Sequence, residues 1–337
     1  MRDIKAYTLK ELRDFFESMG ERGFRADQVF KWMWAKGVLH FDAMTDLPKT
    51  LRERLSREFR ISSIEPVHVS RSKDGSIKYL FKLEDGESIE SVFIPEGKRR
   101  TVCVSTQVGC GMGCSFCATA RIGLVRNLYF HEIAEQVIAV QRLTGARVTN
   151  VVLMGMGEPF SNLDQVLKGL RIINKHIGIG ARKITVSTVG IVPGIRRFAE
   201  TPFQYKLALS LNAAIQNKRE EIIPVASHYT IDEIMGALRY YYQRKHLRIT
   251  FEYVLLKGFN DTEEHARALG ELASMIPSKI NIIPYNHVEG VSYSVPDEED
   301  VNRFASLLYP IAPAVTIRWS RGRDVHAACG QLKGRYG

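Results

Sequence analysis

The sequence contains no apolar run long enough to span a bilayer, which excludes a helical membrane protein. No apolar stretch follows Met1-Arg2-Asp3-Ile4-Lys5, so no secretory signal is expected and the cytoplasm is the expected compartment, with no membrane partner. Cysteine is scarce, five in 337 residues, too few for a disulfide-stapled secreted scaffold. There is no internal repeat and no low-complexity segment, which excludes solenoid and fibrous architectures. Acidic residues are the short side of the charge balance, 37 against 47 basic, giving a net charge of +10 and a pI near 9.3. That excess points to a polyanionic partner, because Lys and Arg displace counterions from phosphates, although a solvated basic face accounts for it equally well. Lys98-Arg99-Arg100, Arg196-Arg197 and the stretch from Arg318 to Arg323 give the charge local addresses.

The composition, 45% hydrophobic and 25% charged, is that of a globular chain, long enough for one large α/β domain and a smaller one. Residues 1–62 read as a helical domain. Thr8 and Glu11 make a capping box ahead of the stripe Leu9, Leu12, Phe15, Phe16, Met19. Val29 to Trp34 form a second helix stopped by Gly37, and Pro48 opens a third carrying Leu51, Leu55 and Phe59. Residues 63–97 switch to the period of strands, with turns at Asp74-Gly75 and Asp85-Gly86, and read as a three-stranded meander. Over 98–320 strand-like runs alternate with helical patterns such as Glu132–Leu143, Leu163–His176, Ile231–Arg244 and Glu263–Met275. Repeated βα units predict a parallel sheet that can curl toward a barrel, with its site at the C-terminal ends of the strands. Residues 321–337 form a tail.

The most unusual stretch lies just after the first strand of that series. Cys110, Cys114 and Cys117 are spaced C-x3-C-x2-C on a loop with glycines at 109, 111 and 113. Three thiolates on one short loop can converge on a soft metal centre. Three sulfurs are one short of the four usual for an iron–sulfur cluster, which leaves one iron open to a ligand. Cys114 and Cys117 alone are equally compatible with a redox dithiol or half a zinc site, although the nearest histidine downstream is the distant His131.

This spacing resembles the signature of radical S-adenosylmethionine (SAM) enzymes. The longer string from Val102-Cys103-Val104-Ser105 through Cys117-Ala118-Thr119 is similar to the RlmN/Cfr RNA methyltransferases of that superfamily. Gly155-Met156-Gly157-Glu158-Pro159 resembles the motif with which that family holds the amino group of SAM. Ala327-Ala328-Cys329-Gly330-Gln331-Leu332 resembles a tail motif specific to RlmN and Cfr. Taken alone, the glycine turn, a lone tail cysteine and a strand glutamate such as Glu90 have ordinary structural explanations.

The resemblance implies a partial (βα)6 barrel, with Cys110, Cys114 and Cys117 holding one [4Fe–4S] cluster. It implies SAM contacts at Gly157, Glu158, Ser187, Ser210, Leu211, Asn212 and Asn286, with two SAM consumed per turnover. Asn212 stands where the family usually has His, so any role that needs an imidazole cation is lost there. Cys329 matches the methyl-carrying cysteine, Cys103 its partner in a disulfide, and Glu90 the proton acceptor. The implied reaction is methylation of adenine C2 in 23S rRNA, with the tRNA adenosine beside the anticodon as a second substrate and a flavodoxin-like electron donor. Methylation at C8, as in Cfr, is the nearest alternative, and a zinc-stabilised RNA-binding module without catalysis is the alternative of another class. A monomer is expected.

Overall fold

A computed structural model describes residues 1–334, so the tail expected over 321–337 has its last three residues outside the described part. The N-terminal segment is closed on itself by a short parallel pairing of β1 (Arg2–Asp3) with β2 (Phe59–Arg60). Between them lie α1 (Leu9–Ser18), α2 (Phe24–Trp34) and α3 (Lys49–Glu58). Thr8 and Glu11 cap each other's backbone N–H groups at the start of α1, as their spacing predicts. Leu12, Phe16, Val29, Phe30, Met33, Trp34, Leu51 and Leu55 are all buried, so the aromatics here are core. Lys5, fully buried, joins this unit to the rest of the chain through Glu135 Oε2 at 2.6 Å and the Ser62 carbonyl at 2.7 Å.

The main body is one ten-stranded sheet. Its antiparallel edge is the meander β3 (Glu65–Arg71), β4 (Ile77–Lys82) and β5 (Ser88–Glu96). β5 pairs antiparallel with β6 (Arg99–Cys103), and from β6 onward every pairing is parallel. A small separate hairpin, β7 (Gln107–Gly109) and β8 (Leu124–Asn127), brackets the cysteine loop. Then follow α4 (Phe130–Thr144), β9 (Asn150–Leu153), α5 (Leu163–Lys175), β10 (Ile184–Thr188), α6 (Val192–Ala199) and β11 (Lys206–Ser210). The series closes with α7 (Gln216–Ile222), α8 (Ile231–Lys245), β12 (Ile249–Leu255), α9 (Glu263–Ser274), β13 (Ser278–Pro284), α10 (Glu298–Leu308) and β14 (Val315–Ile317). The strand order is β14-β13-β12-β11-β10-β9-β6-β5-β4-β3.

Six βα steps therefore lead from β6 to β14, in line with the expected partial (βα)6 architecture. β12 is buried along nearly its whole length, the burial expected of a parallel strand covered by helices. The sheet runs without a break from the meander into the parallel strands. Among the described residues no helix is long and apolar enough to cross a membrane. α6 and α10 fill two of the intervals between strands in which the alternation predicts a helix, while the small hairpin has no counterpart in the pattern. α7 (QNKREEI) has no apolar stripe to announce it, while α10 carried a legible signal in the reciprocal cap of Asp297 and Asp300.

Candidate active site

The C-terminal ends of β9 to β13 open into a cavity of about 970 Å³, the open solvent at its mouth included. Cys110, Cys114 and Cys117 form one side of it. The loop between them is shaped by glycine: a Cβ on Gly109, at φ +74°, would collide with the Gly123 carbonyl oxygen, 1.9 Å away. Burial pushes Cys110 up to about 12, and raises Cys114 and Cys117 above the ordinary thiol range. Each of the three also feels a neighbouring cysteine, because like charges resist being ionised together. Coordination to a cation would displace those protons and offset the charge of the resulting thiolates.

The opposite side is built from strand ends. Gly157 sits at φ +97° against Gln107, where a Cβ would lie 2.6 Å from the Gln107 Cβ. Gln107 Oε1 accepts the Glu158 N–H at 2.9 Å, which aims the acid inward. Glu158 Oε1 accepts from the Phe160 N–H and Oε2 from the Val189 N–H, at 3.0 and 2.9 Å. Burial still pushes its carboxyl up to about 7. Two backbone donors leave lone pairs on both oxygens, so the group can receive an ammonium as well. The Ser187 and Ser210 hydroxyls are 3.1 Å apart at the ends of β10 and β11. Asn212 adopts φ +57°, a region Asn enters more readily than most residues, and its Oδ1 accepts the Val254 N–H at 3.0 Å. Asn286 Nδ2 reaches the Ser320 hydroxyl at 2.9 Å and the Cys329 carbonyl at 3.3 Å.

The tail completes the enclosure. Cys329 and Gly330 line the same cavity as the three loop cysteines. The Ala118 N–H donates to the Gly330 carbonyl at 2.7 Å and the Thr119 hydroxyl to the Leu332 carbonyl at 2.7 Å, so tail and cysteine loop are tied directly. Glu90 and Cys103 stand behind this wall and do not line the cavity. Glu90 is 1% exposed, not on the surface, with Oε1 2.9 Å from Lys78 Nζ and Oε2 accepting the Lys333 and Gly334 N–H groups. Cys103 is buried, its thiol pushed up to about 12 by burial and then by the nearby Cys329. All five cysteines are free thiols.

Leu211 and Arg318 depart from expectation. The Leu211 side chain lies in the apolar core, and only its neighbours Ser210 and Asn212 line the cavity. Arg318 is not part of an exposed basic patch; it turns inward, donating to Met154 Sδ at 3.7 Å, and is held charged first by Cys329 and then by Glu252 and Cys103. Two further buried charges went unread. Glu252, 5% exposed on β12, lines the cavity with Oε1 on Asn281 and Oε2 unpartnered. Arg219, fully buried on α7, donates to the Leu211 and Val189 carbonyls at the ends of the strands. A charged residue on a short helix or an interior strand is the only trace these left in the sequence.

Comparison with known proteins decides the family. Residues 3–61 match the ribosomal RNA large subunit methyltransferase N-terminal domain, and residues 104–269 match the radical SAM superfamily. The dual-specificity RNA methyltransferase RlmN of Syntrophotalea carbinolica is 46% identical over 99% of this chain and 90% of that protein. The chain belongs to the RlmN family of radical SAM RNA methyltransferases. The RlmN relative from Geobacter sulfurreducens is 45% identical over 99% of this chain and 93% of its own length. A crystal structure of a radical SAM methyltransferase from Sphaerobacter thermophilus superposes with a TM-score of 0.93 at 42% identity, covering 99% of this chain and all of that one. Radical SAM proteins use a [4Fe–4S] cluster with SAM, and this RlmN-family chain offers a matching donor set. Its three convergent thiols have no fourth cysteine beside them in the loop, and among the described residues no His, Cys, Asp or Glu cluster is grouped to cage a single ion.

Proposed function

We propose that this RlmN-family enzyme methylates C2 of an adenosine in 23S rRNA, and that the tRNA adenosine beside the anticodon is a second substrate. The observation that carries the reading is the shared wall, with Cys329 facing the cavity that Cys110, Cys114 and Cys117 also line. In this reading those three thiolates hold the cluster, and Glu158 pairs with the ammonium of SAM. Gly157 gives the ligand room, while Ser187, Ser210, Asn212 and Asn286 surround its ribose and adenine, with Leu211 packing from the core behind them. When bound, the cluster supplies the electron that cleaves SAM and opens radical chemistry at a ring carbon with no lone pair to offer a methyl sulfonium.

Cys329 takes a methyl group from one SAM by displacement, and a second SAM is spent on activating that methyl, two per turnover. The activated carbon bonds to adenine C2, so RNA and protein are joined through the tail. The adduct returns the one electron that the activation consumed and Glu90 takes the C2 proton; Cys103 then attacks the Cys329 sulfur, forming a disulfide as the S–CH2 bond breaks with its electron pair on carbon, and a proton completes the methyl group of the released RNA. The adenine must be looped or splayed to reach a cavity of this depth. Electrons come from a flavodoxin-like donor, and the enzyme works as a cytoplasmic monomer. Its N-terminal helices, residues 1–62, grip the RNA, the meander of 63–97 backs the barrel of 98–320, and the tail from 321 delivers the thiol.

Mass spectrometry of digested 23S rRNA and tRNA, after anaerobic incubation with SAM and a reductant, tests the proposal. It expects 2-methyladenosine. A product of 8-methyladenosine would move the enzyme to the Cfr type, and no methylated adenosine from iron-loaded protein would overturn the reading.

A further inference from the structure

Among the described residues two cationic side chains are fully buried, Lys5 and Arg219. Lys5 has its counter-charge, Glu135, at 2.6 Å. Arg219 has none: among the described residues no carboxylate lies within ion-pair distance of it. Its Nε and Nη2 donate to the carbonyls of Leu211 and Val189, while Nη1 is buried with no acceptor. A guanidinium stays protonated, and burying one unpaired is costly, so a site that keeps it should supply an anion.

The surroundings point to which anion. The helix α7 that carries Arg219 packs against the cysteine loop. The Ser115 N–H donates to the Ile222 carbonyl at 3.0 Å, and a Cβ on Gly113 would lie 3.3 Å from Pro224. Ile222, Ile223 and Ala226 share one apolar cluster with Cys114 and Phe116. Arg219 thus lies one helical turn before the α7 residues that pack on Cys114.

We propose that Arg219 is a positioning residue that acts as the internal counter-charge of the cluster, its free Nη1 donating to the Cys114 thiolate and raising the cluster's reduction potential. The direction follows from charge: reduction adds an electron, and a fixed cation beside a ligating sulfur favours the more negative state. The two carbonyl bonds anchor the guanidinium so that it does not follow the added charge. This inference rests on the cluster reading above.

The test is an EPR-monitored redox titration of anaerobically reconstituted full-length protein without SAM, comparing wild type, Arg219→Met and Arg219→Lys. Arg219→Met, with full iron and sulfide, should need a lower potential by at least a tenfold change in the reduced-to-oxidised ratio, 59 mV for a one-electron couple. Arg219→Lys, which keeps the charge, should stay nearer the wild type. Equal potentials in wild type and Arg219→Met would overturn the inference. If Arg219→Met does not load, the wild type carries the test: with 15N-guanidino-labelled arginine, the reduced cluster should show a weakly coupled arginine nitrogen in pulsed EPR. Absence of that coupling would also overturn it. Failure of the wild type itself to bind iron and sulfide would overturn the cluster reading instead, a distinct result.

Discussion

The cavity has two walls made in different ways. On the barrel side, Ser187, Ser210 and Asn286 lie at or just after the ends of parallel strands, and Glu158 follows in the loop after β9, held by Gln107 and the Val189 N–H. On the tail side, Leu332 is tied to Thr119 across 213 residues of sequence, and Cys329 and Gly330 reach the cavity through this and a few similar backbone contacts. The barrel wall is therefore part of the sheet, whereas the tail wall is an irregular segment anchored by Ala327 and Leu332 in the core and by scattered hydrogen bonds. A ligand site that must be stable between turnovers belongs on the first; a thiol that must be joined to RNA and released belongs on the second.

This contrast can be broken most severely at the loop cysteines. Cys114→Ala should lose bound iron and sulfide, and with them both SAM cleavage and RNA methylation; cleavage surviving at the wild-type rate would show that the cysteine loop between the two walls is not its source. Cys329→Ala should separate the walls, with methylated adenosine at background while 5′-deoxyadenosine still forms. Cys103→Ala should leave the protein covalently joined to RNA, seen as a shifted band on a denaturing gel; free methylated RNA at the normal rate would discard its role.

Smaller changes sharpen the comparison. Because burial raises the Glu158 carboxyl to about 7, the carboxylate that pairs with an ammonium is present above that pH and protonated below it. SAM binding to the loaded enzyme should therefore weaken by about tenfold per pH unit below 7, and Glu158→Gln should flatten that dependence. A wild-type affinity constant from pH 5 to 8 would contradict it. Gln331 holds the tail through the His287 carbonyl at 2.9 Å and the Ala328 N–H at 3.3 Å. At about 1 kcal/mol for each of the two bonds, Gln331→Ala should cost methylation about thirtyfold while leaving cleavage of SAM intact. Thr8→Ala removes only a helix cap in the N-terminal unit, so it should lower the melting temperature by a few degrees, about 1 kcal/mol, and change neither reaction rate.

What was legible follows the range of the interaction that made it. The βα alternation, the capping box at Thr8 and the glycine-rich cysteine loop are local patterns, and each stands where its spacing put it. Asn212 is a case in between. The sequence marked it as a departure from the family, but only the folded chain shows the amide at positive φ clipping the Val254 N–H. Glu90 reads as a plain strand glutamate, and its burial against Lys78 and the tail backbone depends on a meander laid beside a segment more than two hundred residues downstream. Arg318 reads as one of a run of surface cations, yet the strand it follows sits so that its guanidinium faces Cys329 and Cys103.

By itself, then, the chain's order of residues determined the kinds of group available: three soft donors on a flexible loop, an acid after a glycine turn, a spare thiol near the end. The tertiary structure decided which of them meet. Sheet order and backbone hydrogen bonds bring Cys329 to the cysteine loop and leave the Arg219 Nη1 buried with no acceptor among the described residues. The reason is physical: helix and strand patterns are set by neighbours a few residues apart, while burial and charge pairing are set by whichever segments the sheet happens to place side by side.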